Sequence, residues 1–530
     1  MQPASAAVTW LESFALAMAS AVMLGAPFVQ PALAWLHWVA LVPWVILLTR
    51  EPGGARWPAF VAATYAFAIM AWGPFSIFSK VVPFALGVLI AIHVVPFGPL
   101  LRLSYTRLRL PLTILVPVIW VALEWARSRI VVGEVGLFPI GASQFQHLRL
   151  IQVADLAGIS GVTFIVAAVN GALADLWINR RRGWHRAIRF AIAPAVLVAA
   201  AIGYGAYRLR QQNFVPGPRI AVVQPNELHS RNPQKARAVF ERQLVFTRAE
   251  VPADSADLIV WPENAVDGVL AGDPTYESEL ARLAREKKAA VVTGAYSLAD
   301  ERPYLHTSAY HLSADGEVIG TYHKLHLIPW SEYLPLEQGF LRSRTTFHRW
   351  HRAIVGRLTG FSGLGRPGTE LVTFTAGTGG DAFRFATPIC FEIVNARFAR
   401  TAVAKGADFL VNITSEGILG PPVYVQTWAF STFRAVENRA GVVRAGNNGI
   451  SGFIDPNGRT QRLVRGKETG RPFLDKGVVI DRVQVDRQRR TFYSRFGDVF
   501  AYLCVAATVG FLGFGLLARR RASHSIAPGT

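Results

Sequence analysis

Eight apolar stretches divide this chain unevenly, and that division limits its folds more than any single residue does. Seven of them, near 8–25, 31–49, 58–78, 82–101, 111–126, 150–178 and 189–207, come first; the eighth, 498–518, follows a long polar block at 217–490. Stretches of about 20 apolar residues match the hydrocarbon thickness of a bilayer as helices. Lipid offers the backbone no hydrogen bonds, so a chain patterned in this way folds there as helices rather than as open strands. A helical membrane bundle is therefore expected over 1–210, a soluble domain over 217–490 between helices seven and eight, and a last membrane helix over 498–518.

The formal net charge of +20 would suit a nucleic-acid partner, but the placement of the charges argues otherwise. Arg50 and Arg56 follow the second stretch, and Arg102, Arg107 and Arg109 follow the fourth. Arg180, Arg181 and Arg182 follow the sixth, and Arg519, Arg520 and Arg521 the eighth. If the chain alternates sides, all four clusters fall on one face, which the positive-inside rule makes cytoplasmic. The polar block then lies on the outer side; Arg127 and Arg129, after the fifth stretch, are the exception. No zinc-finger spacing, phosphate loop or RNA-binding aromatic motif accompanies the charge, so nucleic acid is not expected as a partner. Ala32-Leu33-Ala34 resembles a signal-peptide cleavage site, yet no Lys or Arg precedes the apolar run, which favours a retained first span. Glu124 and Asp155 lie within or beside apolar stretches. Such acids are functional candidates by default, though pairing with Arg127 or Arg149 would explain them equally well. Residues 134–146, rich in Gly, Phe and Pro, read as a loop at the membrane surface.

The polar block alternates two kinds of pattern. Strand-like apolar runs at 220–223, 258–261, 289–293, 383–389, 409–413 and 441–444 are separated by helical patterns such as 277–287 and 427–438. That alternation implies a layered α/β domain. Three short motifs stand at or just past strand ends: Trp261-Pro262-Glu263, Tyr322-His323-Lys324 after a strand at 317–320, and Pro388-Ile389-Cys390-Phe391-Glu392. Carboxyl ends of strands are where sites assemble in α/β sheets.

The chain has two cysteines, and Cys504 lies inside the last apolar stretch, which rules out a disulfide framework. Cys390 is then either a small buried hydrophobe or a nucleophile. A carboxylate that takes the thiol proton and an ammonium that stabilises an oxyanion would make it a nucleophile for acyl transfer. Glu263 and Lys324 supply those groups, and no metal or cofactor is needed. Taken singly, each residue has a plainer reading: a core cysteine, a solvated turn acid, a surface lysine.

Together and in this order, Glu263, Lys324 and Cys390 resemble the Glu–Lys–Cys triad of the nitrilase superfamily. With membrane spans on both sides, the whole chain resembles the apolipoprotein N-acyltransferase family, the membrane-embedded branch of that superfamily. Further matching positions are Val223-Gln224, His323-Lys324-Leu325-His326-Leu327-Ile328-Pro329, Glu332-Tyr333-Leu334-Pro335, Ile389-Cys390-Phe391-Glu392 and Asn447-Asn448-Gly449. Three departures stand out. Phe391 replaces a tyrosine, Ser415-Glu416-Gly417-Ile418-Leu419-Gly420 replaces an Asn-Asp-x-Trp-Phe-Gly stretch, and 226–233 lacks the tryptophan found soon after the first strand.

The resemblance implies a nitrilase-like α-β-β-α sandwich, with Glu263 as general base, Lys324 as oxyanion stabiliser and Cys390 as nucleophile. It makes Glu332 a second essential acid, which a purely structural partner of Lys324 would also explain, and it places Phe391 and Glu392 in the supporting shell. It implies a bacterial inner-membrane enzyme with its catalytic domain in the periplasm. Such an enzyme moves an acyl chain from a phospholipid, through a Cys thioester, to the amino group of diacylglyceryl-cysteine on a lipoprotein. The alternatives are a membrane-anchored amidase or nitrilase that uses water, and a non-catalytic lipoprotein binder. Residues 340–368 interleave Arg342, Arg344, His348, Arg352, Arg357 and Arg366 with Leu341, Phe347, Trp350, Ile354, Leu358 and Phe361. That composition suits a lid lying on an anionic membrane surface.

Overall fold

A computed structural model describes residues 3–524 except 51–55, 74–81, 131–135, 183, 212, 228–231, 301–303, 330, 334–352, 354–363, 378–381, 417–418 and 488–490. The chain forms two compact units, one built from the residues before Gln211, 132–135 apart, together with those from Phe496 onward, the other from Gln211–Arg495.

The first unit is helical. Its elements are α1 (Pro3–Val29), a 3-10 turn (Pro31–Trp38), α2 (Val42–Thr49), α3 (Arg56–Trp72), α4 (Val82–Val94) and α5 (Phe97–Leu108). There follow α6 (Leu112–Ile130), the short α7 (Leu148–Ile151), α8 (Ala154–Asn179), α9 (Trp184–Arg210) and the C-terminal helix Val499–His524. Among the described residues five helices are long and apolar enough to cross a membrane: Trp10–Val29, Pro31–Thr49, Ala154–Asn179, Ile188–Arg210 and Val499–Leu517. The stretch expected as one span at 82–101 is instead two helices, α4 and α5. Pro96 has no amide proton and its ring crowds the carbonyl one turn back, so the chain turns at Val95-Pro96 before α5 begins.

Polar side chains inside this unit are tied to neighbouring elements by hydrogen bonds. Glu124 Oε1 accepts from Trp120 Nε1 and the Ile140 amide at 2.8 and 2.9 Å, and Oε2 accepts from the Thr163 hydroxyl at 2.9 Å. One acid thus joins α6, α8 and a 3-10 turn at Ile140–Gln144. That turn corrects the expected surface loop at 134–146: Ile140, Gly141, Ala142 and Gln144 are buried. The apolar side chain of Ile140 and the acid on α6 draw the segment inward. Asp155 does not pair with Arg149; it accepts from Arg208 Nε and the Tyr204 hydroxyl, each at 2.7 Å, joining α8 to α9. Asn170 on α8 accepts from the Leu41 amide and donates to the His37 carbonyl, fixing the entry to α2.

The second unit holds two six-stranded sheets. One has the strand order β12-β1-β2-β3-β4-β5 and the other β11-β10-β9-β8-β7-β6. The strands of the first are β1 (Val215–Gln224), β2 (Leu258–Val260), β3 (Ala290–Leu298), β4 (Leu305–Leu312), β5 (Val318–His323) and β12 (Gly477–Val485). The second contains β6 (Thr373–Ala376), β7 (Phe383–Ala386), β8 (Phe409–Thr414), β9 (Gly441–Gly446), β10 (Gly452–Ile454) and β11 (Thr460–Leu463). Each sheet has a parallel centre, β1-β2-β3 or β7-β8-β9, flanked by antiparallel strands.

Side-chain alternation sorts the layers. Ala221, Val223, Ile259 and Trp261 pack with Phe240 and Leu244 of α10 (Pro233–Glu250) and with Leu280 and Leu283 of α11 (Pro274–Lys287). The alternate residues of the same strands, Ile220, Val222, Leu258 and Val260, are equally buried, so both faces of the sheet are covered. His311 of β4 meets Phe374 and Phe385 of the other sheet at ring-centroid distances of 5.2 and 5.5 Å. Two further helices, α12 (Ala396–Ala404) and α13 (Pro421–Asn438), accompany the second sheet, α13 almost entirely buried. The result is a nitrilase-like layered fold.

Candidate active site

The acid motif begins where β2 runs out. Trp261 fills the layer between sheet and α10, its Nε1 donating to the Thr247 hydroxyl at 3.1 Å, so Pro262 and Glu263 are turned back toward β3. The turn is clamped onto Gly294: the Gly294 amide donates to the Pro262 carbonyl at 3.2 Å, and the Val266 amide donates to the Gly294 carbonyl at 3.0 Å. A Cβ at position 294 would sit 2.6 Å from Glu263 Cα, which is why glycine stands there.

The lysine motif follows β5, which continues to His323, three residues beyond its expected end. The Lys324 amide donates to the Thr307 carbonyl at 2.9 Å and its carbonyl accepts from Gly368, so the residue is held on both sides. Its ammonium is fully buried, 2.7 Å from Glu332 Oε1 and 3.4 Å from Glu263 Oε1. Glu332 is itself anchored by the Ile328 amide, which donates to Oε2 at 2.8 Å.

Cys390 stands four residues beyond β7 rather than at its end, opening a 3-10 turn at Cys390–Val394. Its φ of 54° lies in the left-handed region, which residues with a Cβ seldom occupy. Such strain persists only where surrounding contacts hold it. Asn412 supplies one such contact, its Nδ2 donating to the Pro388 and Cys390 carbonyls at 2.8 and 3.2 Å. Glu392 supplies another. Its Oε2 accepts from the Ile389 amide at 2.8 Å, while Oε1 accepts from the Tyr322 hydroxyl and the Leu325 and His326 amides at 2.8, 2.8 and 3.0 Å. One carboxylate therefore links the cysteine turn to the loop after the lysine. Phe391 is buried as well.

These elements bring Glu263, Lys324, Cys390 and Glu332 together, with Glu392 behind them. The Cys390 thiol lies against the Glu263 carboxyl, and the Ser415 amide donates to Glu263 Oε2 at 2.9 Å. Burial pushes the Cys390 thiol well above its ordinary pKa and the nearby Glu263 charge adds to this, with Lys324 opposing, so the resting group is the thiol. Burial also raises Glu263; Lys324 opposes that rise and Glu332 reinforces it. Burial alone would lower Lys324, but the Glu332 and Glu263 carboxylates hold it well above its usual value, and it stays charged. A raised carboxyl against a neutral thiol is a proton acceptor matched to its donor, and the fixed ammonium beside them suits a developing oxyanion.

No role was read from the sequence for several residues that build this site: Gly294, Tyr322, Asn412, Ser415 and Arg444. Arg444 carried a usable signal, a lone cation inside an apolar run on a strand that is buried throughout. Asn447, singled out by motif, pairs with the chain after β1, its Oδ1 accepting from the Glu227 amide at 3.0 Å. Of the basic and aromatic segment 340–368, only 353 and 364–368 belong to the described residues; the expected lid otherwise lies outside them. There Arg366 lays its guanidinium over the Tyr304 ring, 3.3 Å from its centre. Among the described residues no group of three or more His, Cys, Asp or Glu is arranged to hold a metal ion.

Comparison with known proteins agrees with this division. Residues 219–491 match the carbon-nitrogen hydrolase family, and residues 20–172 match the apolipoprotein N-acyltransferase N-terminal domain. The apolipoprotein N-acyltransferase of Geobacter metallireducens is 31% identical over 538 residues, covering 96% of each chain. That of Treponema denticola is 25% identical and covers 89% of this chain and 90% of its own. An amidase of the nitrilase superfamily from Nesterenkonia superposes with a TM-score of 0.38 at 16% identity, covering 54% of this chain and 97% of that one. With a relative above 30% identity along nearly its entire length, the chain belongs to the apolipoprotein N-acyltransferase family.

Proposed function

We propose that this protein transfers an acyl chain from a membrane phospholipid to the amino-terminal nitrogen of a diacylglyceryl-cysteine lipoprotein, through a thioester on Cys390. The observation that carries the reading is the buried ammonium of Lys324 between Glu263 and Glu332, beside the one thiol of the second unit.

In the first half-reaction Glu263 takes the proton of Cys390 as the sulfur attacks the donor's ester carbonyl. The oxyanion forms beside Lys324, and collapse of the tetrahedral intermediate breaks the ester bond. Glu263 returns the proton to the departing lysophospholipid alkoxide. In the second, the lipoprotein amine attacks the thioester, Glu263 accepts a proton from nitrogen, and the sulfur leaves to recover it. Glu332 holds Lys324 in place and keeps it charged. Glu392 keeps the cysteine turn and the lysine loop in register, and Phe391 offers an apolar wall where the family has a hydroxyl.

On this reading residues 217–490 form the catalytic domain, between the N-terminal membrane helices and the C-terminal one, facing the periplasm of the bacterial inner membrane. The arginine clusters after alternate apolar stretches support that orientation. Two amphiphilic substrates are the reason to join a hydrolase-type domain to membrane helices, and that favours acyl transfer over hydrolysis by water.

Mass spectrometry of the intact protein incubated with phospholipid tests the proposal. An acyl adduct on Cys390, discharged as an amide by a diacylglyceryl-cysteine peptide, is the expected result. A protein that releases lysophospholipid with no adduct, or that releases free fatty acid at the same rate with and without the peptide, would overturn it.

A further inference from the structure

The end of strand β8 and the two residues after it, 412–416, touch both partners of the proposed proton transfer. Asn412 holds the carbonyls of Pro388 and Cys390, and the Ser415 amide holds Glu263 Oε2. Both ends of this stretch are gripped by one guanidinium from the adjacent strand β9. Arg444 donates through Nη1 to Asn412 Oδ1, and its Nη2 lies 2.6 Å from Glu416 Oε2. The same side chain donates to the Thr427 hydroxyl at 2.9 Å and, through Nε, to the Ile450 carbonyl at 3.0 Å. Arg444 and Glu416 are both wholly buried.

We infer that Arg444 is a positioning residue for acyl transfer, setting Cys390 against Glu263 by holding Asn412 and Glu416 at fixed separation. The argument is one of geometry. Cys390 has a left-handed backbone, and Asn412 bonds to the carbonyls at and two residues before the strained position. Asn412 can present its amide nitrogen there only while its oxygen faces a donor, which Arg444 is. Four residues on, Glu416 fixes where Ser415 directs its amide. Release of either end allows the thiol and the carboxylate to drift apart, and a displacement of about 1 Å between reacting groups can cost on the order of 100-fold in rate. The planar fork of arginine reaches these acceptors from three nitrogens; lysine has a single nitrogen and cannot.

The inference rests on the proposed roles of Cys390 and Glu263, and its test is separable from theirs. The full-length protein carrying Cys504→Ala, so that one thiol remains, is compared with and without Arg444→Lys. Two quantities are read: single-turnover acylation of Cys390 by phospholipid, and the pH midpoint of Cys390 alkylation by iodoacetamide. Arg444→Lys should slow acylation by about 10- to 100-fold with KM for phospholipid changed less than about threefold, and should displace the alkylation midpoint. Asn412→Asp, which keeps the oxygen facing Arg444 but points an acceptor at the two carbonyls, should do the same and carries the test if Arg444→Lys does not fold. A folded variant that acylates at the parent rate with an unmoved midpoint overturns the inference. If the parent itself forms no adduct, the proposed function fails, while the alkylation midpoint still decides whether Arg444 sets the thiol's surroundings.

Discussion

The helical unit and the sandwich unit both bury charged side chains, but they do so in opposite ways. In the helical unit Glu124 is met by an indole, an amide and a hydroxyl, and Asp155 by one guanidinium and one phenol. Each acid there has its own donors and joins helices that would otherwise meet only through apolar contacts. In the sandwich unit two carboxylates share one ammonium, a thiol leans on one of them, and the cysteine sits on a backbone that resists it. Burial of charge by itself thus says little about function. Unequal sharing of charge, with a strained residue at its centre, is what sets the cluster proposed to be reactive apart from the acids of the helical unit.

That contrast can be broken by experiment. Cys390→Ala should reduce acyl transfer by on the order of 1,000-fold or more, whereas Cys504→Ala, in the helical unit, should leave the rate per folded molecule unchanged. Equal losses measured as lysophospholipid release would erase the distinction. Next in size, Lys324→Ala should slow single-turnover acylation by about 100-fold, roughly 3 kcal/mol of oxyanion stabilisation. Wild-type adduct formation in that variant would remove Lys324 from the mechanism.

The opposite outcome is expected in the helical unit. Asp155→Ala strands a largely buried guanidinium and should lower stability by about 3 kcal/mol, seen as a lower Tm in detergent, with kcat per folded molecule unaffected. A fall in kcat without a fall in Tm would mean that Asp155 belongs to the chemistry. The smallest effect sharpens the assignment of the base. On the proposed mechanism acylation needs Glu263 ionised, so the rate should fall as pH drops through its pKa, which burial and Glu332 raise. Glu332→Gln removes the like charge and should therefore move the acid limb of the profile to lower pH. A shift to higher pH would contradict the sign of the Glu332–Glu263 interaction.

How much of this could be read from the chain depended on whether the signal was local. Glu263, Lys324 and Cys390 were legible because each lies in a short motif beside a strand, and a strand end is visible in a few residues. The break at Pro96 was missed because a hydropathy window counts one proline as a small loss, while the backbone feels it as a missing donor and a steric clash. The partner of Asp155 was missed for a different reason: Arg208 is far away in sequence and approaches only when α9 packs on α8. Asn412 and Arg444 were illegible singly. Polar residues within strands acquire meaning from the neighbouring strand, and neither strand order nor register is written in one segment.

Gly294 carries a consequence of another sort. It donates no side chain to any reaction, yet the acid turn rests against it so closely that the smallest added group would collide with the backbone of Glu263 and Asn264. The reach of the site therefore extends to an atom that is absent. In a library of single substitutions, position 294 would be as intolerant as the residues that carry charge. Its intolerance would be blind to chemistry, rejecting alanine and aspartate alike, because what matters there is an empty volume.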